Sequence, residues 1–278
     1  MNKYLLFFVA TLALAGLACS LDVDLPDPTI KTGPLETTSL AIPVPADVGE
    51  VELTLAFGMG EMTLTPGAES GLVSGVATYN VADFKPEVST EGSIVRLEQG
   101  SLNLDGIPDF EDKIENAWTL SLGPTPMLLN INAGAYSGRF ELGGLALRSL
   151  EINDGASDVD VTFSTPNLVE MQLFRYNTGA SNISIEGIGN ANLSTFLFRG
   201  GAGSYTLDFS GALNRDLVAN IEAGVSTVKI VIPEGVPAQV TFEGAVSDVN
   251  TSGAWEQTGD SYQQTGSGPK ITLIVKLS

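Results

Sequence analysis

From residue 47 onward apolar and polar residues alternate with a period of two, and the 3.6-residue period of an amphipathic helix is hard to find. The stretch VELTLAFGMGEMTLTPG, residues 51–67, shows the type: two short alternating strands about a glycine corner. The same unit then recurs. An apolar-x-apolar pair leads to glycine followed by alanine or valine, and a second apolar-x-apolar pair comes after it. The corner falls at Gly134, Gly155, Gly179, Gly201 and Gly224, with Ala245 in the last copy, at spacings of 21, 24, 22, 23 and 21 residues; an earlier copy centres on Gly58. Pairs such as Leu150/Ile152, Phe174/Tyr176 and Phe196/Phe198 precede the corner, and Val159/Val161, Ile183/Ile185, Tyr205/Leu207 and Val228/Ile230 follow it. In the last copy the second pair weakens to Val249/Thr251.

A period of about 22 residues with alternation inside it predicts an all-β protein built as a β-solenoid. One repeat cannot bury its inward row alone, whereas a stack makes a continuous apolar core. Glycine at each corner permits a positive φ or a close backbone approach. An antiparallel sandwich is the alternative, since its strands also recur every 8–12 residues. At ~4.8 Å per rung, about seven rungs would measure roughly 35 Å. Stacking also predicts ladders of outward residues. One runs Asn132, Asn153, Asn177, Arg199, Glu222, Glu243, and ion pairs are expected for Arg139/Asp160, Glu151/Arg175 and Arg199/Glu222. The terminal segment 269–278 is expected to cap the last rung.

Ahead of the repeats the pattern changes twice. Residues 1–18 combine Lys3 with an apolar core from Leu5 to Ala15, too short to span a ~30 Å hydrocarbon layer, and read as a secretory signal peptide. Cys19, the sole cysteine, stands where a bacterial lipoprotein signal places its acylated residue, although Gly16 and Leu17 depart from that pattern; cleavage after Ala15 or Ala18 is the alternative. Residues 19–46 carry Pro26, Pro28, Pro34, Pro43 and Pro45 with no hydrophobic period, and predict an extended, lipid-anchored tether. Residues 47–115 then form a small β module and residues 116–278 the solenoid.

Composition narrows the chemistry. The chain of 278 residues has no histidine, one cysteine, and 33 acidic against 13 basic side chains, a formal charge of −20. Histidine-dependent triads, the usual zinc ligands and an internal disulfide are excluded. Nucleic acid is not an expected partner, because phosphates demand a basic face.

YNVADFKPEV (residues 79–88) resembles a stretch of the N-terminal module of the toast-rack family, bacterial envelope proteins related to the Lia-type proteins of the cell-wall-active antibiotic response. GMGEMTLTPGA (58–68) resembles that family's opening glycine-corner hairpin, and NAWTLSL (116–122) the tryptophan strand that leads into its repeats. The resemblance covers residues 48–278. It implies a right-handed β-solenoid at the cell envelope, an envelope-stress setting and no established enzymatic activity. Many members carry transmembrane helices, so a lipid anchor would be a departure.

Two stretches invite chemistry. In residues 101–112, Asn103, Asp105, Asp109 and Asp112 take the third, fifth, ninth and twelfth places of a calcium loop, with Gly106 at the turn. Ser101 at the first place and Asp in place of Glu at the twelfth fit an acidic surface loop instead. Glu151, Asp154, Asp158 and Asp160 crowd one repeat, as a polysaccharide-acting β-helix enzyme would require, but Arg139 and Arg175 nearby are engaged by the ladders. The expected function is a non-catalytic cell-envelope lipoprotein: a scaffold, adhesin or interaction module without a cofactor, exposed on the cell surface or periplasmic face. Its partners would be the membrane, through Cys19, and an envelope protein or glycan. The alternatives are the polysaccharide-acting enzyme and a calcium-dependent surface adhesin.

Overall fold

The structure is a computed structural model and describes residues 32–68, 71–100, 113–244 and 249–277. Among the described residues the alternation becomes seventeen strands and two short 3-10 turns, 82–84 and 188–191. The strands are β1 (Glu36–Ile42), β2 (Val51–Pro66), β3 (Val73–Tyr79), β4 (Pro86–Glu91), β5 (Ile94–Gln99), β6 (Asn116–Leu122), β7 (Met127–Glu141), β8 (Leu147–Asn153) and β9 (Ala156–Thr162). They continue with β10 (Met171–Glu186), β11 (Leu193–Asp208), β12 (Leu217–Ala223), β13 (Ser226–Val231), β14 (Ala238–Gly244), β15 (Glu256–Thr258), β16 (Ser261–Gln264) and β17 (Ile271–Leu277).

Pairing that is parallel through the rungs and antiparallel at the ends arranges these strands in two walls that meet at the glycine corners. The first wall runs β4-β5-β2-β7-β8-β10-β11-β12-β17-β14-β16-β15. The second runs β1-β3-β6-β2-β7-β9-β10-β11-β13. Long strands β2, β7, β10 and β11 contribute one half to each wall. The inward rows are the predicted apolar pairs. Leu129, Ile131, Leu150, Ile152, Phe174, Tyr176, Phe196 and Phe198 on one wall, with Val159, Val161, Ile183, Ile185, Tyr205 and Leu207 on the other, are at most 2 % exposed. Between rungs the rings of Phe174 and Phe196 stand 4.9 Å apart, and within one rung, across the two halves of β11, so do those of Phe198 and Tyr205. The irregular third side is held by side chains. Asn167 takes both backbone groups of Leu147, and Asn190 bonds Phe163 O and Ala212 N.

The corner glycines form one column. A Cβ on Gly155, Gly201 or Gly224 would lie 3.1, 2.5 or 3.0 Å from the carbonyl oxygen of the column glycine one rung below, and Gly134 and Gly179 are placed likewise over Gly58 and Gly155. None of these six has a positive φ. Of the two reasons for a corner glycine, close approach is therefore the one that operates.

Three expectations are corrected. The tether does not extend to residue 46: β1 pairs antiparallel with β3, with Leu40 and Ile42 buried, because Pro34 and Pro43 flank this alternating stretch and leave it free to pair. The division between 47–115 and 116–278 does not separate two bodies, since β2 lies directly on β7 in register from Val51↔Met127 to Leu64↔Phe140. The segment 58–68 belongs to that single bent rung and is not a hairpin. The distinctive residues of 79–88 are core, with Tyr79, Val81 and Phe84 buried.

The C-terminal strand also departs from expectation. It does not cap the last rung; β17 inserts between β12 and β14, parallel to both. Burial of Ile271, Leu273 and Val275 completes the inward row. The insertion also resolves a charge conflict. Direct stacking would set Glu222 on Glu243, and the observed register is Glu222↔Lys276↔Glu243. Antiparallel β16 and β15 then cover the edge of β14.

Replacing Gly201 by alanine forces a methyl group against the Gly179 carbonyl and is expected to cost about 1–3 kcal/mol. Gly49→Ala, where nothing lies within 4 Å, should change stability by less than ~0.5 kcal/mol. Denaturant unfolding of the two variants measures the contrast. Lys276→Glu lines up three acids and should lower stability by about 0.2–1 kcal/mol at low salt. Most of that difference should vanish near 1 M salt, where the screening length falls to ~3 Å.

Candidate functional site

Cys19 and the calcium-loop residues Asn103, Asp105, Asp109 and Asp112 lie outside the described residues, as does Ala245. Among the described residues no group of three or more acids, histidines or cysteines is placed to hold a metal ion.

The four acids crowded in one repeat are dispersed by the fold. Glu151 points outward on the first wall and pairs with Arg175 at 3.3 Å. Asp158 and Asp160 are exposed on the second wall, in register with Asn182 and Ser184 above and Ser137 and Arg139 below. Asp154 sits at the corner. Apposed carboxylates of the kind a glycosidase uses are therefore not formed from this set. Of the predicted ion pairs, Glu151–Arg175 and Arg199–Glu222 form, the latter at 3.2 Å. Arg139 and Asp160 share a register without an ion pair. The asparagine ladder forms: Asn153 donates to Asn132 at 3.1 Å and Asn177 to Asn153 at 2.7 Å.

Asp154 turns toward the core. Tyr176 donates to its Oδ2 at 2.8 Å and Tyr136 at 3.3 Å, while Asp154 Oδ1 and Tyr205 Oη are buried without hydrogen-bond partners. Gly200 keeps this space open, because a Cβ there would collide with the Tyr205 ring. All three phenols are pushed above the ordinary tyrosine range, first by burial and then by the Asp154 charge or, for Tyr176, by Tyr136 ahead of it. The arrangement holds protons firmly and serves the core.

A recess lies at the C-terminal end of the rack, with a volume of about 530 Å³. On one side it is lined by Val228, Ile230 and Ile232, on the other by Val240, Phe242 and Tyr262, and Trp255 lies beside them. Trp255 is positioned by its Nε1, which donates to Ser252 O at 3.2 Å. The phenol ring of Tyr262 meets that of Phe242 edge to face at 5.6 Å. In lower rungs the rows containing Val228 and Ile230 are fully covered; here both are half-buried, because no described strand lies on β13. Sequence reading missed this cleft, although the weak Val249/Thr251 pair and a further alternating strand after the final repeat both signalled an incomplete last rung.

Removing the Tyr176 hydroxyl should cost about 1.5–3 kcal/mol, the range for a hydrogen bond to a charged group. Tyr205→Phe, which removes an unpartnered hydroxyl, should cost under ~0.5 kcal/mol; urea unfolding compares them. A phenol pKa raised by folding contributes stability that is fully present below pH ~10, the unfolded value, and is lost as pH rises toward the folded value. Stability should therefore fall above pH ~10, and less steeply in Tyr176→Phe.

The family model for the N-terminal domain of toast_rack, DUF2154, matches residues 31–186. No curated protein matches the chain. Among solved structures, a candidate cell adhesion protein from Clostridium sporogenes ATCC 15579 is similar at 18% identity and a TM-score of 0.52, over 88% of this chain and 95% of that one. A candidate adhesin from Bacteroides fragilis NCTC 9343 aligns over 90% and 99% of the two chains at 9% identity, with a TM-score of 0.29. The family match spans more than half of the chain and includes both the flanking strands and the first rungs of the rack: the chain belongs to the toast-rack family.

Proposed function

We propose that this chain is a non-catalytic interaction module of the cell envelope, a scaffold or adhesin held on the extracytoplasmic face of a membrane by acylation of Cys19. The carrying observation is the use of its outward charges. Glu151, Arg175, Arg199 and Glu222 answer one another across rungs, and the Asn132–Asn153–Asn177 ladder continues the same surface. Such ladders stiffen a regular face, whereas glycan hydrolysis asks for carboxylates converging across a groove. The similarity to a candidate cell adhesion protein agrees with this reading. So does the acidic excess, which disfavours non-specific adhesion to anionic surfaces.

Metabolic labelling with an alkyne fatty acid checks the anchor: the wild type should be labelled and Cys19→Ser unlabelled, and an unlabelled wild type refutes acylation. The Cys19→Ser chain should bind isolated envelopes saturably without releasing soluble glycan. Glycan turnover that disappears in Asp158→Ala would instead establish an enzyme.

A further inference from the structure

Among the described residues β13 is the last strand of the second wall. Gly203 N donates to Val225 O at 3.3 Å, and Phe209 N donates to Val231 O at 2.9 Å. In a parallel ladder alternate residues direct their backbone groups to opposite sides. The groups of Ser226, Val228 and Ile230 therefore point off the other edge, with which no described strand pairs. A free edge beside an apolar recess accepts an added strand, whose backbone supplies hydrogen bonds and whose alternate side chains fill the recess.

Charge selects the kind of strand. Glu234 and Lys229 line the recess, and Glu243 and Asp260 line a second recess that shares Val249, Phe242 and Tyr262 with it. Glu234, Glu243 and Asp260 thus stand against Lys229 and Lys276, the latter already in register with Glu243, which leaves an acidic surplus on a chain whose formal charge is −20. The rack already shows what such an end accepts. Lys270, just ahead of β17, and Lys276 within it bracket an apolar alternation, and Lys276 sits between Glu222 and Glu243.

We infer that the terminal cleft binds an extended, apolar-alternating, lysine-bearing segment of a second protein, added as a strand along the free edge of β13. This rests on the reading of the chain as an interaction module. The probe is a fluorescein-labelled peptide, KITLTVK, followed by anisotropy with the full chain. Saturable binding at one peptide per chain is expected. Methylation of alternate backbone nitrogens, exchange of both lysines for glutamate, and the chain variants Ile230→Glu and Trp255→Ala should each weaken it at least ~10-fold. Val88→Glu, on exposed β4 at the opposite end, should leave binding unchanged. Equal melting temperatures show that the variants fold; Trp255→Ala serves if Ile230→Glu does not.

Absent binding, equal affinity for the methylated or glutamate peptide, or affinity unaltered by both cleft variants overturns the inference. So does a dimer of the chain alone in sedimentation that Ile230→Glu or Trp255→Ala disperses, which assigns the edge to a second copy. Saturable envelope binding without peptide binding defeats the cleft alone, whereas loss of envelope binding defeats the interaction module itself.

Discussion

Backbone approach at the corners is the constraint on which the rack depends. At Gly134, Gly155, Gly179, Gly201 and Gly224 a rung turns between walls where an added Cβ would meet the carbonyl oxygen of the glycine beneath it. No Cβ fits in that space without displacing backbone, and the displacement would propagate along a parallel ladder whose register is continuous on both sides of the corner. Once the column is closed, the inward rows stack residue on residue, and the aromatic contacts between Phe174, Phe196, Tyr176 and Phe198 follow from register.

Outward residues obey the same register with a smaller energy. Exposed pairs such as Glu151–Arg175 contribute modestly, yet they discriminate between neighbours, because like charges in adjacent rungs repel at a spacing of ~4.8 Å. That discrimination is consistent with the placement of β17. Its insertion supplies Ile271, Leu273 and Val275 to the core and puts a lysine between two glutamates. Beyond β11 the first wall carries β12, β17, β14, β16 and β15, whereas among the described residues the second carries β13 alone, so the two walls terminate differently. The cleft at β13 is a consequence of that mismatch.

For function, the structure replaces a cluster of acids in one repeat with four carboxylates in distinct settings. Glu151 is paired, Asp158 and Asp160 are exposed on another face, and Asp154 is bound by phenols. Among the described residues, a regular polar wall and an apolar recess with aromatic side chains are available for recognition. The fold places that recess at the end of the stack, the part of a solenoid where strand edges are accessible.

By itself the sequence determined the solenoid, its glycine corners, its inward rows and most of its ladders, because these depend on short periods that every copy repeats. The family resemblance was likewise carried by local strings such as YNVADFKPEV, whose Tyr79, Val81 and Phe84 prove to be core. Only the tertiary structure decided which strand lies next to which where the repeat stops. Alternation states that 36–42 and 271–277 are suited to a sheet, but period-two patterns are alike in every strand and carry no address. The position of β1 beside β3, the insertion of β17 and the turn of Asp154 into the tyrosines were settled by long-range competition for sheet edges, buried area and opposite charge. The cleft was settled with them.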